Sequence, residues 1–235
     1  MKLGIIGAMD VEVATLKAKM ENKTESVVAG MVFCEGTLEK LPAVVVQCGV
    51  GKVNAALCAQ ILCSNFAVTH IVNTGIAGSL DAELDIGDFV ISRDAVYHDF
   101  DCHILNDAYI IGQVPGLPVR KFPADEMLYK LAYATADTLF PGHAKIGTVA
   151  SGDQFICQKE QKQNIIANTG AICTEMEGAA IAHGAWRNGV PFVVVRAISD
   201  KADDSAEMDY PTFEAIAAKR CADVTCAMAA TLSKF

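Results

Sequence analysis

Four things are missing from this chain of 235 residues. It has no surplus of positive charge, since 19 lysines and arginines face 28 aspartates and glutamates for a formal charge of −9. Without a basic stripe, neither nucleic acid nor an anionic membrane surface is an expected partner. It has no uninterrupted apolar run of the ~20 residues that a membrane-spanning helix needs. Its nine cysteines form no C-x-x-C pair and are scattered through apolar runs, a pattern of reduced, buried thiols and not of a disulfide framework. The first residues, Met1 to Gly7, enter a strand-like run with no signal-cleavage region. Together these absences predict a cytoplasmic protein.

What is present is material for a large core: 52% of the residues are hydrophobic and 20% charged. The chain reads as one domain over 1–235, with strands and helices alternating. That alternation predicts an α/β fold, a three-layer α/β/α sandwich on a mixed central sheet. Strands are expected at Lys2–Ala8, Val27–Ala29, Met31–Leu38, Ala43–Cys48, Thr69–Thr74, Phe89–Tyr97, Ala144–Ala150, 171–174 and Phe192–Asp200. Helices are expected at Asp10–Met20, after Gly49–Lys52, at Ala124–Leu139, at 158–168 and after Glu177. The second should bury Val53, Leu57 and Ile61, with Ala56 beside them. A last helix from about Asp209, with Pro211 in its first turn, carries Phe213, Ile216, Ala217, Cys221, Val224, Met228 and Leu232 on one apolar face. Gly75–Ser79 reads as a tight turn or as a close approach of backbone to ligand, and Gly112–Pro118 as an exposed loop able to reach a neighbouring subunit.

Two stretches carry acids without an evident solubilising role. Thr174-Glu175-Met176-Glu177 runs directly into the apolar helix face Ala179 to Ala182. Phe192–Asp200 is a buried strand that delivers Arg196, Ser199 and Asp200 at its carboxyl end, where open α/β sheets bind ligands. A third acid, Glu12, opens the first helix, where it is either a dipole partner or part of a site. The turn Gly4-Ile5-Ile6-Gly7-Ala8-Met9 lacks dinucleotide spacing. His98-Asp99-Phe100-Asp101-Cys102-His103 fits no zinc spacing, and a strand would send adjacent side chains to opposite faces; no metal is expected. Phe155, after the polar turn Ser151-Gly152-Asp153, either frames a flat ring or packs in the core.

Two positioned carboxyl groups can cleave a glycosidic bond when one protonates the leaving group and the other activates water. An aspartic acid doing the first near neutrality needs an upward pKa shift of ~3 units, about 4 kcal/mol. Burial beside Ile198 and a second carboxylate act in that direction, and a close Arg196 opposes it. Capping of the following turn is the other reading of Asp200.

The motifs Gly4–Met9 with Glu12, Asn73-Thr74-Gly75, Ser151-Gly152-Asp153, Glu175-Met176-Glu177 and Val195–Asp200 occur in an order and spacing that resemble the 5′-methylthioadenosine/S-adenosylhomocysteine nucleosidases over essentially the whole chain. The resemblance implies a phosphorylase/hydrolase-like fold, a homodimer, and no metal or organic cofactor. The implied reaction cleaves the adenine–thioribose bond of methylthioadenosine and S-adenosylhomocysteine, with 5′-deoxyadenosine a further candidate, in methionine salvage. It also implies that Glu12 activates water and Asp200, assisted by Ser199, protonates purine nitrogen 7. Glu177 would bind the ribose hydroxyls, Met176 would pack on the sugar, Phe155 would stack on adenine and the Ile156 backbone would read its edge. Gly78 falls in the substrate-contacting turn, and Arg196 would hold Glu175 or the water. Met9, Val50 and Tyr210, with Leu105 and Pro115 of a partner subunit, would complete the pocket. Ile76 replaces the family's usual serine, and Leu105 and Tyr210 replace common phenylalanines, which leaves the reaction class intact and bears on substrate preference.

A nucleoside phosphorylase of the same fold would need cations for phosphate where this chain has Ala8-Met9 and Val72-Asn73, and Glu12 would repel the anion. A futalosine-type nucleoside hydrolase and a catalytically silent nucleoside-binding module are the remaining alternatives. The first is decided by the 5′ pocket. The second has no need of a general acid.

Overall fold

The computed structural model describes residues 1–235 apart from 106–108 and 204–205, with the backbone alone at 207–209. The most hydrophobic runs became the central strands: β1 (Leu3–Gly7), β4 (Leu41–Gln47), β5 (His70–Ser79) and β10 (Phe192–Asp200). β1, β4, β5 and β10 lie parallel to their neighbours in the order β4-β1-β5-β10. Sheets covered on both faces need apolar residues at successive positions instead of alternate ones. β10, accordingly, is buried at every residue.

β2 (Glu21–Val28) and β3 (Met31–Leu38) extend this sheet beyond β4 as antiparallel strands. On the other side β10 pairs antiparallel with β6 (Phe89–Tyr97), which also carries the two-residue β7 (Phe122–Pro123). β6 pairs with β8 (Ala144–Ser151), β8 with β9 (Cys173–Glu175), and β9 returns to β5. The circuit β5-β10-β6-β8-β9 therefore closes on itself while β1, β4, β3 and β2 stay open. This closure is an addition to the expected mixed sheet.

Helices form the outer layers. α2 (Lys52–Asn65) and α5 (Gly178–Arg187) cover one face, over a cluster with Ile6, Val44, Val46 and Val194. α1 (Asp10–Lys19), α3 (Glu126–Leu139) and α6 (Ala206–Leu232) cover the other, over Ile5, Val45, Val193 and Val195. Alternate residues of one strand thus feed opposite cores. α4 (Lys159–Thr169) adds Ile165 to a small cluster with Ile156 and Ala202. Among the described residues no helix is long and apolar enough to cross a membrane.

Several expectations need correction. In α2 the buried residues are Ala55, Cys58, Ala59 and Leu62, whereas Val53 and Leu57 are 70% and 48% exposed. The reason is close packing: a Cβ on Gly184 of α5 would stand 3.2 Å from the Ala59 Cβ, so small residues face the neighbouring helix there, while Leu62 is buried and Ile61 packs partly buried against the core. Gly75–Ser79 is not a turn, because β5 runs through it to Ser79. β2 starts at Glu21, six residues before the expected strand, and nearly all of it is exposed. α6 begins at Ala206, which puts Pro211 inside the helix, and Ile216 is 55% exposed instead of buried. In the loop 112–118, Pro115 is exposed but Leu117 is buried.

Candidate active site

The first acid is positioned by a helix start. Met9 is the N-cap of α1 and Glu12 its third residue, so the Glu12 side chain turns back on the amides that open the helix. Its Oε2 accepts the N–H of Ala8 at 2.6 Å and of Met9 at 3.0 Å, and its Oε1 accepts the N–H of Ile76, on β5, at 3.1 Å. This geometry is that of the dipole-partner reading of Glu12, and it leaves the site reading open. Burial raises its pKa above the ordinary carboxylate value, against the opposing pull of Arg196 and the three backbone donors. Gly75 makes room: a Cβ there would collide with both Glu12 and the Arg196 guanidinium.

Arg196 sits in mid-strand on β10, fully buried, not at the strand end. Its Nη2 donates to Asn73 Oδ1 at 2.6 Å and to Glu175, while Nη1 donates to the Ile76 carbonyl at 3.3 Å. Glu177 Oε2 lies 3.6 Å from Nη2 and Glu12 Oε1 3.9 Å from Nη1. One guanidinium thus serves three carboxylates. Burial alone would lower the Arg196 pKa, but Glu175, Glu177 and Glu12 outweigh it and hold the charge firmly on. The carboxylates remain in excess, and the pKa values of both Glu12 and Glu177 are raised. Burial, then the neighbouring Glu175, pushes that of Glu177 up to about 7. Glu177 Oε1 accepts the Gly51 N–H at 2.9 Å.

Glu175 is tied on all sides. Its Oε2 accepts the Glu177 and Gly178 amides at 3.0 and 2.7 Å at the start of α5, and its Oε1 takes the Ser151 hydroxyl. Ser151 Oγ in turn accepts the Ala179 amide at 2.7 Å. A carboxylate so fully occupied holds Arg196 and the helix in place instead of reaching outward.

Asp200 closes β10 beside Gly78. Its Oδ2 accepts the Ser199 hydroxyl at 2.8 Å and its Oδ1 the Ala202 amide at 2.8 Å, so the turn-capping reading holds geometrically as well. A Cβ on Gly78 would stand 2.7 Å from Asp200 Oδ1, and glycine there keeps the space over the carboxylate open.

These groups share one cleft of about 600 Å³ measured out to its mouth, within the range of small-molecule sites. Glu12, Glu175, Glu177, Arg196, Ser199 and Asp200 form its polar end, and Gly78, Ile156 and Met176 also line it. At the mouth stand Met9, Val50, Phe155 and Tyr210. Phe155 is 47% exposed and meets Tyr210 edge-on at 5.5 Å between ring centroids. It is not a core residue. The Tyr210 hydroxyl reaches Met9 Sδ at 3.3 Å and Glu214 Oε1 at 3.1 Å. Leu105 and Pro115 are exposed and off the cleft. Sequence reasoning gave no role to Thr174, Gln154 and Ala77 on the lining, or to Asn73 and Ser151 behind it. Asn73 and Ser151 stood inside quoted motifs, but only coordinates reveal which partner each one holds.

The residues 2–230 match the profile described as Phosphorylase superfamily. A 5′-methylthioadenosine/S-adenosylhomocysteine nucleosidase of Geobacillus thermodenitrificans is 41% identical over 229 residues, covering 97% of this chain and 96% of the relative. The structure is similar to that of the nucleosidase of the same name from Neisseria meningitidis in complex with methylthio-immucillin-A, with a TM-score of 0.93, 33% identity and coverage of 98% and 99%. It is also similar to the futalosine hydrolase of Helicobacter pylori, with a TM-score of 0.91, 32% identity and 97% of each chain covered.

Proposed function

The chain belongs to the 5′-methylthioadenosine/S-adenosylhomocysteine nucleosidases of the phosphorylase superfamily, and we propose that Glu12 and Asp200 divide its reaction between them. The enzyme hydrolyses the N-glycosidic bond of methylthioadenosine and S-adenosylhomocysteine and releases adenine. Cleavage sends the bonding electrons into the base, and Asp200, steadied by the Ser199 hydroxyl, delivers a proton to nitrogen 7. Water adds to the oxocarbenium-like anomeric carbon as its proton passes to Glu12. The raised pKa of Glu12 suits this role, because a general base works best with its pKa near the working pH. Glu177 takes the ribose hydroxyls, Met176 packs on the sugar, Phe155 stacks on adenine, and the Ile156 backbone reads the base edge. Arg196 and Glu175 hold the acids in register.

One observation carries this reading. Glu12 and Asp200, 1% and 3% exposed, share a cleft in which Arg196 is the one cation among the described lining residues. That cation is already committed to Asn73, Glu175 and the Ile76 carbonyl. A phosphate nucleophile would meet three glutamates and no free positive charge, so water is the acceptor. The test is adenine release from methylthioadenosine in phosphate-free buffer and again with phosphate added. Equal release with free methylthioribose supports hydrolysis. A strict need for phosphate overturns it. The same assay on futalosine and on 5′-deoxyadenosine defines the substrate range.

The active unit in this reading is a homodimer of the whole chain, 1–235. Val53 and Leu57 on α2, the helix that starts two residues after Val50, and Ile104 and Leu105 at 89% and 74% exposure leave large apolar side chains in water. A second copy would cover them and bring its Leu105 and Pro115 to the 5′ end of the substrate. Residence in the cytoplasm belongs to the same proposal and is supported by nine free thiols.

A further inference from the structure

Two cleft-lining residues, among those described, carry a buried side-chain polar atom without a hydrogen-bond partner: Arg196, at Nε alone, and Thr174, whose only side-chain polar atom is the unpaired one. Thr174 is 5% exposed and sits on β9 next to the fully occupied Glu175. Burying a hydroxyl unpaired is unfavourable and asks for an explanation. Because Thr174 lines the cleft, its hydroxyl is available to whatever fills it.

Strand register says where on the ligand it acts. β5 is flanked by β10 and β9, and at one level Asp200 pairs with Gly78 and Gly78 with Thr174. Adjacent strands are about 4.8 Å apart, so Thr174 and Asp200 flank a gap of roughly two strand spacings. The absent side chain of Gly78 keeps that gap clear. A flat heterocycle held by Asp200 at one edge extends over Gly78 towards Thr174.

We infer that Thr174 is a specificity-determining residue whose hydroxyl hydrogen-bonds the purine on an edge other than the one Asp200 protonates. The inference rests on the nucleosidase reading given above. A hydroxyl both donates and accepts, so it serves a ring nitrogen as donor or an exocyclic amine as acceptor. An apolar residue of the same shape would line the slot without this discrimination.

The experiment compares wild type, Thr174→Val and Thr174→Ser for adenine affinity by calorimetry and for turnover of methylthioadenosine. Thr174→Val should weaken adenine roughly threefold to tenfold, the worth of one neutral hydrogen bond. KM should rise with kcat nearly unchanged, because the bond is present in ground and transition states alike. Thr174→Ser should restore affinity. The melting temperature of ligand-free Thr174→Val should equal or exceed that of wild type, since a buried unpaired hydroxyl has been removed. Adenine binding by Thr174→Val as tight as by wild type overturns the inference. So does a fall in kcat at constant KM, which would mean that the change acted through Glu175. If wild type itself neither binds adenine nor cleaves methylthioadenosine, it is the nucleosidase reading that fails.

Discussion

The two ends of the cleft are built on opposite plans. At the inner end every carboxylate is tied: Glu12 to three backbone amides, Glu175 to Ser151, Arg196 and two helix amides, Glu177 to Gly51. At the mouth, Val50 and Phe155 are about half exposed, at 49% and 47%. The inner end is preorganised, as charge stabilisation in a transition state requires. The outer end, at Met9, Val50, Phe155 and Tyr210, is largely apolar and partly open to solvent. In the proposed reading the interior hydrogen bonds set the chemistry, and a second copy completes the outer end where substrate breadth is decided.

Substitutions at the inner end should break this contrast most severely. Asp200→Asn keeps the shape but cannot supply a proton, and its kcat should fall by about 10²–10⁴, the usual worth of general acid catalysis, while adenine analogues still bind. Retained turnover would remove Asp200 from the proposed role. Asn73→Ala should come next. It frees one arm of Arg196 without touching the substrate, and the loss of a hydrogen bond to a charged group, about 1.5–3 kcal/mol, predicts roughly a tenfold to hundredfold fall in kcat. An effect on KM alone would mean that Asn73 does not position the acids.

At the mouth the effects should be smaller and concentration-dependent. Leu57→Glu places a charge in the exposed apolar patch, and light scattering should detect monomer, with KM for methylthioadenosine rising several-fold and the inner end intact. An unchanged dimer, or a monomer of undiminished activity, would separate the patch from the pocket.

The smallest effect concerns stability. Glu177 has its pKa raised from 4.5 to about 7 in the folded protein, so its contribution to stability is complete below about 4.5 and is lost as pH rises through 7. Glu177→Gln removes this penalty. Its melting temperature should exceed that of wild type by a few degrees at pH 8 and by little at pH 5. The opposite order would contradict the burial of an ionising group there.

The same contrast explains what the sequence disclosed. β6 (Phe89–Tyr97) and β10 (Phe192–Asp200) have the expected bounds because long apolar runs admit few alternatives. Only the end of β2 is expected, at Val27, and residues 21–26 escape because an exposed edge strand carries no hydrophobic alternation. In α2 the expected Val53 and Leu57 proved exposed while Ile61 packs partly against the core, since periodicity marks large residues while helix–helix contact here prefers alanine against Gly184. Glu12, Glu177 and Asp200 stood out because acids beside apolar runs are unusual. Thr174 and Asn73 did not, since a threonine in a strand and an asparagine at a strand end are ordinary until their partners, or the lack of them, are seen.

The closed circuit of strands has a consequence for how the enzyme is made. Glu12 precedes Asp200 by most of the described fold, and the two meet only when β10 has inserted between β5 and β6. Contacts so distant along the chain form slowly, since a long loop must close before they give any return. With the proposed roles of Glu12 and Asp200, the nascent chain is expected to be inert until β10 has been made. Any truncation that removes β10 should yield no weakened nucleosidase but an unclosed sheet, with the raw edges of β5 and β6 exposed to aggregation.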